Sequence, residues 1–231
     1  MKNYTLIFLS IFICSSVFAQ RDFSFYRDNG NTLETNFYKK LSTNVKNNRG
    51  NYTGSPFLEE TLELGTLILN GGDAQVFFMR YNVLEQRIEF SDTNDVETLK
   101  MLPKEDNILI QLRGKTYQYL HLGNLPTGYY EIAKTFDEDR LLLVQHKKII
   151  YEVERRNSYN SSQKSQIKSS EKMYFLDNKD AIEIENHKKH SVKAFPKSTQ
   201  SVLKTYIKEN KIKFNDDYKG LIALLNKYMT L

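Results

Sequence analysis

The sequence predicts a mainly β fold: an antiparallel meander, arranged as a sandwich or a partly open barrel, followed by a C-terminal α-helical hairpin. Three observations predict it. Tyr (15) and Phe (14) are abundant while Trp is absent and Gly numbers 10, and aromatic side chains suit a pleated, half-buried surface. Short apolar runs recur between turn residues at the spacing of about 8–12 residues expected of an all-β unit. After residue 197 the apolar residues fall three and four apart instead, the period of an amphipathic helix.

The 231 residues, 40% hydrophobic and 26% charged, suffice for a substantial core and exclude wholesale disorder. The most patterned stretch, residues 65–90, anchors the β reading. An apolar run meets Asn70-Gly71-Gly72-Asp73, a strong hairpin signal. A second run follows, and then Ile88 and Phe90 alternate with Arg87 and Glu89, which sorts them to opposite faces of a strand. The turn between these two runs lies near Asn82 or at Leu84-Glu85-Gln86, and alternation favours the latter. Gly65 interrupts a run of alternating leucines, the mark of a bulge or a close backbone approach. Arg80 is a charge inside an apolar strand and needs a partner, for which Glu89 is the candidate.

The N-terminus reads as a secretory signal peptide: Lys2, the apolar segment LIFLSIFI, then Val17-Phe18-Ala19 before a cut ahead of Gln20. The apolar segment is short of the ~20 residues that span a membrane. Cys14 is no lipidation site on this reading, because Ile13 stands where that cleavage requires a small residue. Cleavage before Gln20 removes the only cysteine. The mature chain then has no disulfide, thiol nucleophile or thiolate metal ligand. An exported chain without disulfides points to a bacterial periplasm or cell surface.

Gly54-Ser55-Pro56 opens the compact region, and Arg80-Tyr81-Asn82 and Glu89-Phe90 follow within it. With the leader and the helical tail, these motifs resemble a family of uncharacterised secreted and envelope proteins from Bacteroidota. The resemblance extends with weaker motifs over most of the mature chain. It implies an envelope location and assigns no activity, cofactor or catalytic residue.

The remaining elements follow in order. Residues 20–53 are polar with scattered aromatics, a loosely structured entry with one short helix around residues 32–42. Strands are expected at residues 96–101, 107–112, 116–122, 129–136, 140–145 and 149–153, with turns at Arg113-Gly114-Lys115 and Asp137-Glu138-Asp139. Residues 157–172 are rich in Ser, Asn, Gln and Lys and bury too little to offset ordering, about 1–2 kcal/mol per residue for the backbone; they read as a mobile insertion. Strands return at 173–176 and 181–184 across Asp177-Asn178-Lys179-Asp180. Ser198 is expected to cap a helix to about Glu209, and Asn215 or Asp216 to begin a second. The organisation is therefore a signal peptide (1–19), an entry segment (20–53), a β-rich domain (54–196) with its insertion (157–172), and a helical hairpin (197–231).

The formal net charge of +5 is uneven. Residues 20–154 carry 16 basic and 20 acidic side chains, residues 155–197 carry 10 and 5. A basic, exposed segment attracts anionic headgroups or an acidic partner. Arg155, Arg156, Lys164, Lys168, Lys188 and Lys189 are therefore the expected interaction surface.

No catalytic or phosphate-binding motif is present, and no catalytic, cofactor-binding or metal residue is assigned. His187 and His190 read as surface histidines, since Lys188 and Lys189 oppose a cation and no third ligand is near. Asp92-Thr93-Asn94-Asp95 with Glu97 lacks calcium-loop spacing and reads as a turn. Asp137, Glu138 and Asp139 form a solvated hairpin tip, and His121 is the one candidate base for a dispersed hydrolase. The function expected is that of a non-catalytic, cofactor-free envelope protein that binds another protein, a surface glycan or a membrane surface. A β-domain for a small apolar ligand is the alternative, and a hydrolase without a motif comes third. Nucleic acid is excluded as a partner by the compartment and by the few aromatics among the basic residues.

Overall fold

The computed structural model describes residues 52–121, 123–152, 164–215 and 217–231. The expected signal peptide and nearly all of the entry segment lie outside them. Among the described residues eleven strands form one sheet: β1 (Tyr52–Thr53), β2 (Glu63–Leu69), β3 (Ala74–Asn82), β4 (Arg87–Ser91), β5 (Lys100–Met101), β6 (Ile108–Leu112), β7 (Lys115–Leu120), β8 (Gly128–Thr135), β9 (Arg140–Tyr151), β10 (Ser165–Asp177) and β11 (Asp180–Ile184). Helices α1 (Lys188–Lys193), α2 (Lys197–Glu209) and α3 (Lys219–Tyr228) complete the chain. The sheet runs β1-β10-β9-β8-β7-β6-β2-β3-β4-β5, with β11 also on β10. All pairings are antiparallel except β1 on β10, and the sheet is open rather than closed. The fold is thus mainly β with C-terminal helices, built on one sheet where a sandwich would need two.

Turn chemistry places the hairpins. Arg113 and Gly114 both have positive φ (53° and 75°) between the paired Leu112 and Lys115, the two-residue turn whose twist matches the strands. Asn70 (φ 51°) and Gly71 (φ 69°) turn the β2–β3 hairpin as Asn-Gly predicts. The β3–β4 turn falls at residues 83–86 and pairs Asn82 with Arg87, which settles the register. Gly65 is a close approach: a Cβ there would lie 2.6 Å from Met79 Sδ and 2.9 Å from the Gln111 carbonyl oxygen.

The sheet curls. Tyr81 on β3 meets the rings of Tyr117 and Tyr129 on β7 and β8, each at 5.7 Å, although β2 and β6 separate these strands in the sheet. The concave face encloses a first core that includes Leu67, Met79, Ile88, Phe90 and Ile110. The same face of β8–β11 carries a second core, where Leu142, Phe175 and Ile184 pack on Leu203, Ile207, Leu221 and Leu225 of the helices. The opposite face holds a smaller cluster around Tyr130, Leu143 and Tyr174.

Several expectations need correction. Of the strand expected at 96–101 only Lys100–Met101 is strand; Val96–Thr98 is a 3-10 turn whose start Asp95 caps. Strand β9 is continuous from Arg140 to Tyr151, not two strands, because polar residues 145–148 keep their ladder with β10. Strand β10 starts at Ser165, so residues 165–172 of the expected mobile insertion are strand. Backbone pairing with β9 holds them there although most of their side chains are exposed; residues 157–163 lie outside the described residues. Helix α1 was not expected, and His187 caps it by accepting a hydrogen bond from the Lys189 amide. Helices α2 and α3 form the expected pair, with Pro196 rather than Ser198 at the N-cap of α2 and a later start for α3, after the left-handed Tyr218.

Candidate functional site

Two charge clusters, the first buried and the second reaching from buried His146 and Glu131 to half-exposed Lys115 and Glu171, and one exposed ribbon carry the chemistry of the described residues. The first cluster is the Arg-Tyr-Asn element and its partner strand. Register sets Arg80 opposite Glu89, and the Arg80 Nε donates to Glu89 Oε2 at 2.8 Å. Arg87 Nε (2.8 Å) and Asn82 Nδ2 (3.2 Å) donate to Oε1. Glu89 is fully buried, and both of its oxygens are engaged. The Arg80 guanidinium also lies 3.7 Å from the centroid of Phe57. The sequence expectation that Arg80 pairs with Glu89 holds, and the cluster fastens β3 to β4.

The second cluster crosses four strands on the concave face. Lys115 Nζ on β7 donates to Glu131 Oε2 on β8 at 2.9 Å. His146 on β9 reaches the same oxygen through Nε2 at 2.8 Å and Glu171 Oε1 on β10 through Nδ1 at 3.0 Å. His146 and Glu131 are buried. These residues form a seam between the first core and the helix-covered core.

Burial opposes charge on His146, yet the two carboxylates outweigh it and hold the imidazole above its ordinary pKa. Burial likewise opposes the Glu131 carboxylate, and the His146 and Lys115 bonds more than offset it, so its pKa falls. Glu171 is lowered first by its His146 bond, against burial. Both imidazole nitrogens thus lie within hydrogen-bond distance of a carboxylate oxygen, an arrangement that favours the protonated ring. A proton acceptor or metal ligand needs a free imidazole lone pair, and this arrangement leaves none.

Beside the seam a cleft of about 170 Å³ is lined by Tyr81, Tyr117, Glu63, Arg113, Lys115 and Glu171 among others. It is smaller than the ~300 Å³ at which ligand pockets usually begin and carries charges of both signs. The phenol of Tyr117, pushed well above its usual pKa by burial, stays neutral there.

The ribbon is the outer part of β9 and β10. Strand β8 pairs with β9 no further than Val144, so residues 147–151 pair only with β10. Alternation sets Lys147, Ile149 and Tyr151 on one face together with Lys168, whose Nζ lies 3.8 Å from the Tyr151 ring centroid. Ile150 faces the other way. Ile149, Ile150 and Tyr151 are 59%, 45% and 51% exposed. Lys148 is occupied: its Nζ donates to the carbonyls of Ser55 (2.9 Å) and Phe57, and burial lowers its pKa.

Of the expected interaction surface, Lys164 and Lys168 lie on this ribbon, the former just ahead of β10. Lys188 and Lys189 open α1 instead, so the structure splits the six. Arg155 and Arg156 lie outside the described residues. The other candidates have local partners. His190 Nδ1 pairs with Glu185 at 2.6 Å, His121 hydrogen-bonds Thr127, and Asp95 Oδ1 accepts from the Glu97 amide at 2.9 Å. Asp137 accepts from Arg140 Nε at 2.7 Å, and that bond draws its carboxyl below the ordinary range. Among the described residues no three potential metal ligands converge.

Sequence reasoning missed His146 because its partners are 15 and 25 residues away and only strand register unites them. A charged residue at an inward position of each of four neighbouring strands was the available signal. It missed the ribbon's apolar residues because 149–153 was expected only as a strand, and strand composition does not say which side chains stay in solvent. No protein-family profile, curated protein or solved structure matches the chain.

Proposed function

We propose that this is an exported, non-catalytic protein of a bacterial cell envelope that works by contact, and that the β9–β10 ribbon is its contact surface. The carrying observation is the exposure of Ile149 and Tyr151 between Lys147 and Lys168. An isolated exposed apolar side chain is ordinary, whereas a cluster framed by cations marks an interaction site. The leader-like N-terminus and the family-like Arg-Tyr-Asn and Glu-Phe elements support the envelope location. The commitment of both His146 nitrogens supports a non-catalytic reading, because the best-buried histidine has no lone pair to offer.

The test has two parts. Fractionation with N-terminal sequencing should find the protein in the envelope, starting at Gln20. A photo-crosslinking residue at position 149 should capture the same envelope component reproducibly, and one at Val202, exposed on α2, should not. A cytoplasmic protein, or identical capture from both positions, defeats the reading.

A further inference from the structure

We infer that the cleft beside the seam binds a small zwitterion of amino-acid size, with its ammonium against Tyr117 and its carboxylate on Arg113. The site goes beyond the contact reading and uses none of the ribbon's residues. It lies between residues 58–63, β3, the β6–β7 hairpin and the His146–Glu171 pair. Its volume of about 170 Å³ equals roughly six waters at ~30 Å³ each, which admits a ligand of fewer than about ten non-hydrogen atoms.

Three features specify the occupant. First, Tyr117 is 2% exposed, yet it lines the cleft and its hydroxyl has no hydrogen-bond partner among the described residues. A buried polar group left unpaired is costly, and a bound ligand would satisfy it. Second, the charges that act on this phenol are the carboxylates of Glu131, Glu171 and Glu59, so the cleft is negative where the hydroxyl sits. Lys115 is committed to Glu131 at 2.9 Å. Glu171 accepts from His146 and Tyr218, and a carboxylate has about four acceptor sites, so it retains capacity for an ammonium. Tyr81, whose ring meets that of Tyr117 at 5.7 Å, lines the same cleft, and aromatic rings favour a cation.

Third, Arg113 stands half-exposed on its left-handed turn. Its contacts with Glu63 at 3.3 Å and Glu59 at 3.6 Å both use Nη1. Nε and Nη2 are left for a carboxylate, which that edge of a guanidinium binds through two parallel bonds. Exposed ion pairs of this kind contribute little and yield readily to a ligand. A ligand with an amine alone leaves Arg113 unanswered, and one with a carboxylate alone meets the acids around Tyr117.

Titration calorimetry with protein purified from the producing cells tests this. The probes are glycine and L-leucine, each compared with analogues that lack one charge. Methylamine and acetate serve for glycine, 3-methylbutylamine and 4-methylpentanoate for leucine. At least one amino acid should bind with a Kd of ~1 mM or tighter, and at least ~10-fold more tightly than either of its analogues. Tyr117→Phe should weaken that binding ~5–10-fold while melting at or above the parent temperature, since the lost hydroxyl had no partner. Arg113→Gln should bring the amino acid down to the affinity of its amine analogue and leave the amine unaffected. No binding by either amino acid, an analogue that binds as tightly, or either variant with unchanged affinity overturns the inference. The contact reading stands or falls separately, on crosslinking from position 149.

Discussion

His146 and Glu131 meet at 2.8 Å on the concave face of the sheet, both buried, and Glu171 takes the other imidazole nitrogen at 3.0 Å. A buried charge that loses its partner costs more than the pair contributes when intact. His146→Gln leaves Glu131 with Lys115 alone and Glu171 with one bond fewer, so a loss of about 3 kcal/mol in unfolding free energy is expected. Urea unfolding followed by far-UV circular dichroism reads it. A loss under about 1 kcal/mol would mean that the seam is solvated.

The same seam sets a pH dependence. His146 is held above its unfolded value of 6.5, so its stabilisation is complete below pH 6.5 and is lost as pH rises through the folded pKa. Glu131 and Glu171 are held below 4.5; their contribution is present above pH 4.5 and is lost as pH falls through their folded values. Stability should therefore be greatest between about pH 4.5 and 6.5. On the alkaline side it should decline by at most ~1.4 kcal/mol per pH unit, the limit for one proton. Melting temperatures from pH 5.5 to 8.5 should show that decline in the parent and a flatter profile in His146→Gln. Parallel profiles would assign the dependence elsewhere.

Glu89 is the most committed carboxylate among the described residues, with two guanidiniums and an amide on its oxygens. Glu89→Ala should cost about 3–5 kcal/mol, because Arg80 remains 7% exposed without its counter-ion. Arg80→Met/Glu89→Leu should cost less than the sum of the two single changes, since neither charge is then stranded. Chemical denaturation of the double-mutant cycle measures this, and strict additivity would contradict the pairing.

Gly65→Ala would place a methyl group 2.9 Å from the Gln111 carbonyl oxygen. The Met79 side chain can swing away, but backbone between two paired strands cannot. A loss of about 1–3 kcal/mol is expected, and Met79→Ala should not restore it. Recovery in that double variant would show that sulfur, not backbone, was the obstacle.

Local chemistry was legible wherever four or five residues decide the outcome. Asn70-Gly71, Arg113-Gly114 and Asp177-Asn178-Lys179-Asp180 turned where expected because left-handed backbone is tolerated at few residue types. Arg80 found Glu89 because the two stand on adjacent strands either side of one short turn, although the position of that turn, and with it the register, came only with the fold. Residues 165–172 were misread because composition measures side-chain burial, while their order comes from main-chain hydrogen bonds to β9. Helix α1 is too short to announce itself; burial of Val192 in the second core holds it.

The β class, the hairpins, the helical tail and the excess of basic residues after position 154 can all be read from the chain. Those properties are sums of local preference, and local preference is written in neighbouring residues. The curl of one sheet, the seam that Lys115, Glu131, His146 and Glu171 share, and the exposure of Ile149 and Tyr151 beside Lys168 come from long-range packing instead. Each of these depends on where β8 stops pairing with β9 and on the registers that join strands far apart in the chain. Such choices balance the burial of whole faces, which no single stretch of the chain contains.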